Sequence, residues 1–183
     1  MAKDENLDVF KNAPEEKAPV VTAGRKLRIG FIGTGGIANS HMKAYLGRPD
    51  VEIVAGCDIV PGKAAKFFAN YSLEGVKTDY KDHEDMLADK SLNLDAVSIC
   101  TYNRQHVPCC IAALKAGIHV LVEKPVDVSV SAAKSLGEVA KKSGKVFGIM
   151  FNQRTNCLYK KMKEIISSGE LGEIRRTNWL ITN

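Results

Sequence analysis

Apolar residues in this chain gather in short runs at residues 27–32, 51–57, 95–100, 118–122 and 145–150. Runs of five to seven residues without strict alternation read as strands buried on both faces. Between them the apolar period lengthens. Ile37, His41, Ala44 and Tyr45 keep helical spacing, as do Val107, Cys110, Ile111 and Leu114. Residues 61–69, 82–87 and 130–142 complete the predicted helices. Pro61 stands near a first turn, where its missing N–H costs little, and Gly117 and Gly144 suit helix C-termini. Residues 75–77 read as a minor strand. Strands alternating with helices over short loops predict the α/β class, as a Rossmann-type doubly wound parallel sheet over residues 27–150. In such sheets a ligand lies beyond the carboxyl ends of the strands, which is where Gly33, Asp58, Thr101 and Glu123 fall.

The first of those ends carries Gly33-Thr34-Gly35-Gly36-Ile37-Ala38. Gly33 permits a sharp turn, Gly35 lets backbone N–H groups approach a pyrophosphate, and Ala38 lets the next helix pack closely on the strand. The phosphates would lie at a helix N-terminus, where free N–H groups and the macrodipole favour negative charge. A structural βαβ turn without a ligand is the alternative. Asp58 ends the second strand, where a carboxylate accepts bonds from ribose hydroxyls and repels a 2′-phosphate. Ile59 and Val60 follow with no adjacent arginine, and Lys63 is expected to face solvent. The cofactor expected is therefore NAD in preference to NADP.

A second motif, Glu123-Lys124-Pro125, places an ammonium at the end of a later strand. Taking hydride from a carbinol requires its hydroxyl proton to leave, and an ammonium beside the oxygen can bind the developing alkoxide and relay that proton. A surface lysine before a turn proline is the plain alternative. His106, at a helix start, is either a functional contact or a ligand of its own loop. Arg154, just past the last strand, either reaches cofactor or substrate or forms an ordinary ion pair.

Composition narrows the field. The chain has 183 residues, 45% of them hydrophobic, which suits one good-sized globular domain. A net charge of +5 scattered along the chain does not describe a nucleic-acid surface. Lys160, Lys161 and Lys163 lie opposite Leu158, Met162, Ile165 and Ile166 and read as a solvated helix face. The five cysteines show no metal-binding or disulfide spacing, so no metal site is expected and a reducing compartment fits. Residues 1–26 carry five basic and five acidic side chains and no apolar core of a signal peptide, and read as a flexible arm. No run is long enough to span a membrane, and a cytoplasmic protein is expected.

From residue 27 to about Trp179 the chain resembles the Gfo/Idh/MocA oxidoreductases. The resemblance rests on Gly33-x-Gly35-x-x-Ala38, Asp58, Cys100-Thr101-Tyr102-Asn103-x-x-His106, Ala112-Ala113-Leu114-x-Ala116-Gly117 and Glu123-Lys124-Pro125. Tyr102 departs from the pattern, since the family usually has proline there. The resemblance implies an NAD(P)-dependent dehydrogenase or reductase acting on a hydroxyl of a sugar, cyclitol or related polyol. Thr34, Gly36 and Ile37 would complete the phosphate loop, and Thr101, Tyr102, Asn103 and His106 would line the nicotinamide and its ribose. Lys124 would stand beside the reacting carbon, Glu123 would touch the nicotinamide region, and the bond before Pro125 would be cis.

Residues 151–183 would then begin a second, α+β domain for substrate binding and homo-oligomer assembly. It would start with a helix opened by Asn156, a turn at residues 169–172 and a strand at residues 174–181. On that reading the chain is a truncated piece, inactive alone, and a histidine of the second domain would work with Lys124. A non-catalytic nucleotide-binding redox sensor or regulatory module, and a methyltransferase, are the competing classes. Lys124 argues against a sensor, and the Lys124 turn with the close-packed Ala38 turn argues against a methyltransferase.

Overall fold

The computed structural model describes residues 24–180. Five strands, β1 (Leu27–Ile32), β2 (Val51–Cys57), β3 (Ala96–Ile99), β4 (His119–Glu123) and β5 (Phe147–Met150), form one sheet in the order β2-β1-β3-β4-β5. Every pairing is parallel, so all carboxyl ends share one edge. The order reverses at β1, which has β2 on one side and β3 on the other, and a crevice opens at such a switch point. The helices are α1 (Ala38–Leu46), α2 (Lys63–Ala69), α3 (His83–Ala88), α4 (Asn103–Lys115), α5 (Val130–Ser143) and α6 (Cys157–Ser168).

The pleat sorts the core into two layers. Ile29 and Phe31 of β1 pack with Met42 of α1 and with Phe67 and Phe68 of α2. Phe31 is fully buried and meets Phe68 edge-on at 6.0 Å between ring centroids. On the other face Ile32, Val97, Ile99 and Val122 join Leu87, Leu114 and Leu136 of α3, α4 and α5. Helices on both faces of a parallel sheet confirm the doubly wound architecture.

Several local expectations change. Residues 75–77 supply only a single bridge, Ala55 to Lys77, where Lys77 N–H donates to Val54 and Gly56 N–H to Lys77. Residues 76 and 78 on either side are irregular and add no second rung. Helix α2 starts at Lys63 rather than Pro61, because Gly62 is left-handed at φ +75°. Asp82 lies outside α3 and caps it, accepting from Glu84 and Asp85 N–H. Helix α6 opens on an Asn156 side-chain cap as the sequence suggests, yet its apolar Leu158 and Ile166 are exposed. Residues 174–180 pair with no strand among the described residues, and residues 181–183 lie outside them. Most of the expected N-terminal arm, residues 1–23, also lies outside them. Within its last stretch Arg25 holds Asp95 in a two-pronged salt bridge. No helix among the described residues is long and apolar enough to cross a membrane.

Candidate functional site at the carboxyl edge

A cleft of about 660 Å³ opens over the switch point, within the range of small-molecule and cofactor sites. Its floor is the turn from β1 into α1. Gly33 adopts φ +85°, and its N–H donates to Cys57 at the end of β2 (2.9 Å). The turn tightens through Ala38 N–H to Gly35 and Asn39 N–H to Gly36. The N–H groups of Gly35, Gly36 and Ile37 donate to no atom among the described residues. A Cβ on Gly35 or Gly36 would meet nothing within 4 Å, and Gly35, Gly36 and Ile37 all line the cleft. Ala38 is fully buried beneath the turn, where a larger side chain would push α1 off the sheet.

Asp58 forms the adjoining wall. One oxygen, Oδ2, accepts from Thr34 N–H (2.9 Å) and the Thr34 hydroxyl (2.8 Å), and Lys63 Nζ stands 3.0 Å from it. Oδ1 accepts from Val60 N–H at 3.0 Å. Burial works to raise this carboxyl, but the bonds from Thr34, Val60 and Lys63 together outweigh it and hold it below its ordinary value. Lys63 does not point away into solvent as expected. The first turn of α2 brings it back across Gly62 to the acid, and it too lines the cleft.

Thr101 and Tyr102 close the opposite wall. Tyr102 is exposed and precedes α4 in extended conformation at φ −72°, a value that proline also adopts. Cys57 and Cys109 line the cleft as well, but burial pushes their thiols up to about 12 and about 11, so neither is a nucleophile at neutral pH. No cluster of histidine, cysteine and acidic side chains among the described residues could hold a metal.

The remaining candidates fall outside the cleft lining. Lys124 is exposed at the end of β4, and the Lys124–Pro125 peptide is cis. Asn103 is exposed at the start of α4, and Arg154 is exposed on a short 3-10 turn, Asn152–Thr155, past β5. His106 is 1% exposed and faces inward: Nδ1 is 2.6 Å from Pro125 O and Nε2 is 3.1 Å from Thr101 O. Glu123 is also buried, with Oε2 accepting from Lys124 N–H at 3.1 Å and Oε1 lying 2.8 Å from His41 Nε2. His41, absent from the predicted set, reaches Ser98 Oγ through Nδ1 at 2.7 Å. Sequence spacing marked His41 only as an inward helix position. The one further clue was a basic residue on an apolar stripe.

Comparison with known proteins agrees with this fold. Residues 27–151 match the family described as "Oxidoreductase family, NAD-binding Rossmann fold". The inositol 2-dehydrogenase of Salmonella typhimurium is 35% identical over 149 residues, covering 80% of this chain and 43% of that protein. The D-glucoside 3-dehydrogenase of Escherichia coli is 34% identical, covering 81% of this chain and 41% of its own length. In structure, the chain superposes on myo-inositol 2-dehydrogenase from Lactobacillus plantarum with a TM-score of 0.73 at 28% identity, covering 82% of this chain and 43% of that one. The chain thus spans less than half the length of these relatives.

Proposed function

Since this chain belongs to the Gfo/Idh/MocA oxidoreductase family, we propose that it is the cofactor-binding portion of an NAD-dependent dehydrogenase acting on a cyclitol, sugar or related polyol. The observation that carries the proposal is the open glycine turn with its three unengaged N–H groups, set beside a strand end that presents Lys124. The residues present fit a dinucleotide: the turn suits a pyrophosphate and Asp58 suits a ribose diol. A nicotinamide dinucleotide bound there supplies the hydride acceptor or donor.

The chain's own residues do the rest. Gly35, Gly36 and Ile37 N–H groups bind phosphate, and Asp58 accepts from ribose hydroxyls while repelling a 2′-phosphate. Thr34 and Lys63 load Oδ2, whereas Oδ1 accepts a single bond, from Val60 N–H, and keeps a lone pair for a diol. Thr101, Tyr102 and Asn103 flank the nicotinamide end, and Arg154, on the turn past β5, serves the same edge of the sheet. Lys124 hydrogen-bonds the substrate oxygen and holds or releases the proton there as the hydroxyl becomes a carbonyl. By the family resemblance, substrate-defining residues, a second acid–base group and a surface for self-association belong to an α+β domain that follows the cofactor-binding one. A small polyol is the partner that the scattered charge and the modest cleft suit.

Binding titrations test this reading. NADH should bind more tightly than NADPH, S-adenosylmethionine should not bind, and Asp58→Ala should narrow the difference between the two dinucleotides. Equal affinity for NADH and NADPH in the unmutated protein refutes the assigned preference. Binding of S-adenosylmethionine alone refutes the dehydrogenase class.

A further inference from the structure

Lys124 emerges from a turn with little backbone bonding of its own. Pro125 has no N–H, and among the described residues the Lys124 N–H bonds only the carboxylate of the preceding residue (3.1 Å). Two buried histidines reach this turn from different helices. His41 comes from α1, which begins at the phosphate turn, and its Nε2 is 2.8 Å from Glu123 Oε1. His106 comes from α4, which begins just after the Thr101–Tyr102 wall, and its Nδ1 is 2.6 Å from Pro125 O.

Donor and acceptor roles follow from the partners. A carboxylate and a carbonyl can only accept, so His41 donates through Nε2; His106 has a carbonyl at each ring nitrogen, and with one ring proton it donates at Nδ1, the shorter contact. The Ser98 hydroxyl then donates to His41 Nδ1 (2.7 Å). Glu123 thus accepts from His41 at Oε1 and from Lys124 N–H at Oε2, one bond to each oxygen. No buried side-chain nitrogen or oxygen among the described residues is left without a partner.

We propose that His41 and His106 are positioning residues that clamp the Glu123–Lys124–Pro125 turn from two sides. They tie the place of the Lys124 ammonium to the phosphate turn through α1 and to the nicotinamide wall through α4. Two merely well-satisfied core histidines would stabilise the whole domain; a clamp orders one turn. The inference gives Lys124 its purpose from the proposed dehydrogenase reading, but the clamp itself is measured without turnover.

Hydrogen exchange by NMR on this chain separates the two cases, with NADH binding followed independently by fluorescence. In the unmutated protein the ring N–H protons of His41 and His106 should be resolved and slow to exchange. His41→Leu should speed exchange of the Lys124 amide roughly tenfold or more, leaving the Val97 and Ile99 amides of β3 unchanged. His41→Gln, which still offers a donor to Glu123, should restore most of the protection. His106→Leu and His106→Gln should behave as the same kind of pair. Lys124 exchange that stays unchanged, or that rises only together with Val97 and Ile99, overturns the clamp. Should the leucine variants not fold, His41→Asn and His106→Asn, which stay polar but are too short to reach the turn, replace them under the same two outcomes. Failure to bind NADH would defeat the dehydrogenase reading while leaving the exchange result to decide the clamp.

Discussion

Replacing Gly33 and Gly35 in turn separates what the phosphate turn does for folding from what it does for binding. Gly33 is left-handed, at φ +85°, and a Cβ there would lie 2.9 Å from both the carbonyl carbon and oxygen of Cys100, and 3.0 Å from Thr101 Cγ2. Two of those atoms are backbone at the end of β3, so relief requires β1 and β3 to part. Left-handed backbone costs a non-glycine residue about 1–2 kcal/mol, and overpacking about 1–3 kcal/mol. Gly33→Ala should therefore lose about 2–5 kcal/mol, against a total stability of about 5–15 kcal/mol for an ordinary domain. For a chain of this length each kcal/mol moves the melting point by about 2–4 °C, so the midpoint should fall by about 4–20 °C. Gly35 has open space where its Cβ would go. Gly35→Val should leave the melt within about 2 °C of wild type and abolish dinucleotide binding. Thermal melts by far-UV circular dichroism, paired with NADH titration by fluorescence, check both. A Gly33→Ala midpoint equal to wild type would refute the close approach of β1 to Cys100. Undiminished binding by Gly35→Val would place the phosphates elsewhere.

Further outcomes follow from other parts of the molecule. In a form of the protein competent for turnover, Lys124→Met should keep NADH affinity and lower polyol oxidation by about 10²–10⁴-fold, read as NADH absorbance; unchanged turnover would return Lys124 to a structural role. Of five cysteines, only Cys157 is exposed, while burial raises Cys57, Cys100 and Cys109 to about 12, about 12 and about 11. One thiol should thus react quickly with a disulfide reagent at pH 8, and all five after denaturation. Burial works to raise Asp95, but Arg25, the Arg28 N–H and His119 outweigh it and hold it below its ordinary value of 3.8. A carboxyl depressed in the folded state contributes stability that is present above its unfolded value and lost as pH falls through its folded one. Stability should therefore decline below about pH 4, and less steeply in Asp95→Asn; equal acid profiles by denaturant titration would remove Asp95 from the account.

The strands and the edge bearing the site were legible because their signals are local. Each apolar run closes on a residue of distinct chemistry, and parallel pairing then brings Gly33, Asp58, Thr101 and Glu123 to one edge without any knowledge of packing. Contacts across the molecule were not legible. Lys63 looked solvent-facing because only the left-handed Gly62 turns α2 so that its first residue reaches Asp58. His41 and Glu123 are 82 residues apart, and their bond depends on the rotation of α1 about its axis. Helical spacing says which residues face inward, not which polar atoms they meet. The same limit affected His106, read as a cofactor contact or loop ligand and found beneath the wall between two carbonyls. At residues 174–181 the resemblance implied a strand, but pairing needs a neighbouring edge, and residues 174–180 find none among the described residues.

The chain's single tryptophan lies far along it, at Trp179, 58% exposed and outside both apolar clusters. Its ring packs on Tyr159 of α6, 5.7 Å between centroids and tilted by 43°. Indole emission therefore reports the joint between residue 179 and α6, while far-UV circular dichroism reports the helices covering the sheet. Denaturation followed by the two signals tracks two different events. A mismatch between their midpoints marks release of the 179 segment and is no sign of a partly folded sheet.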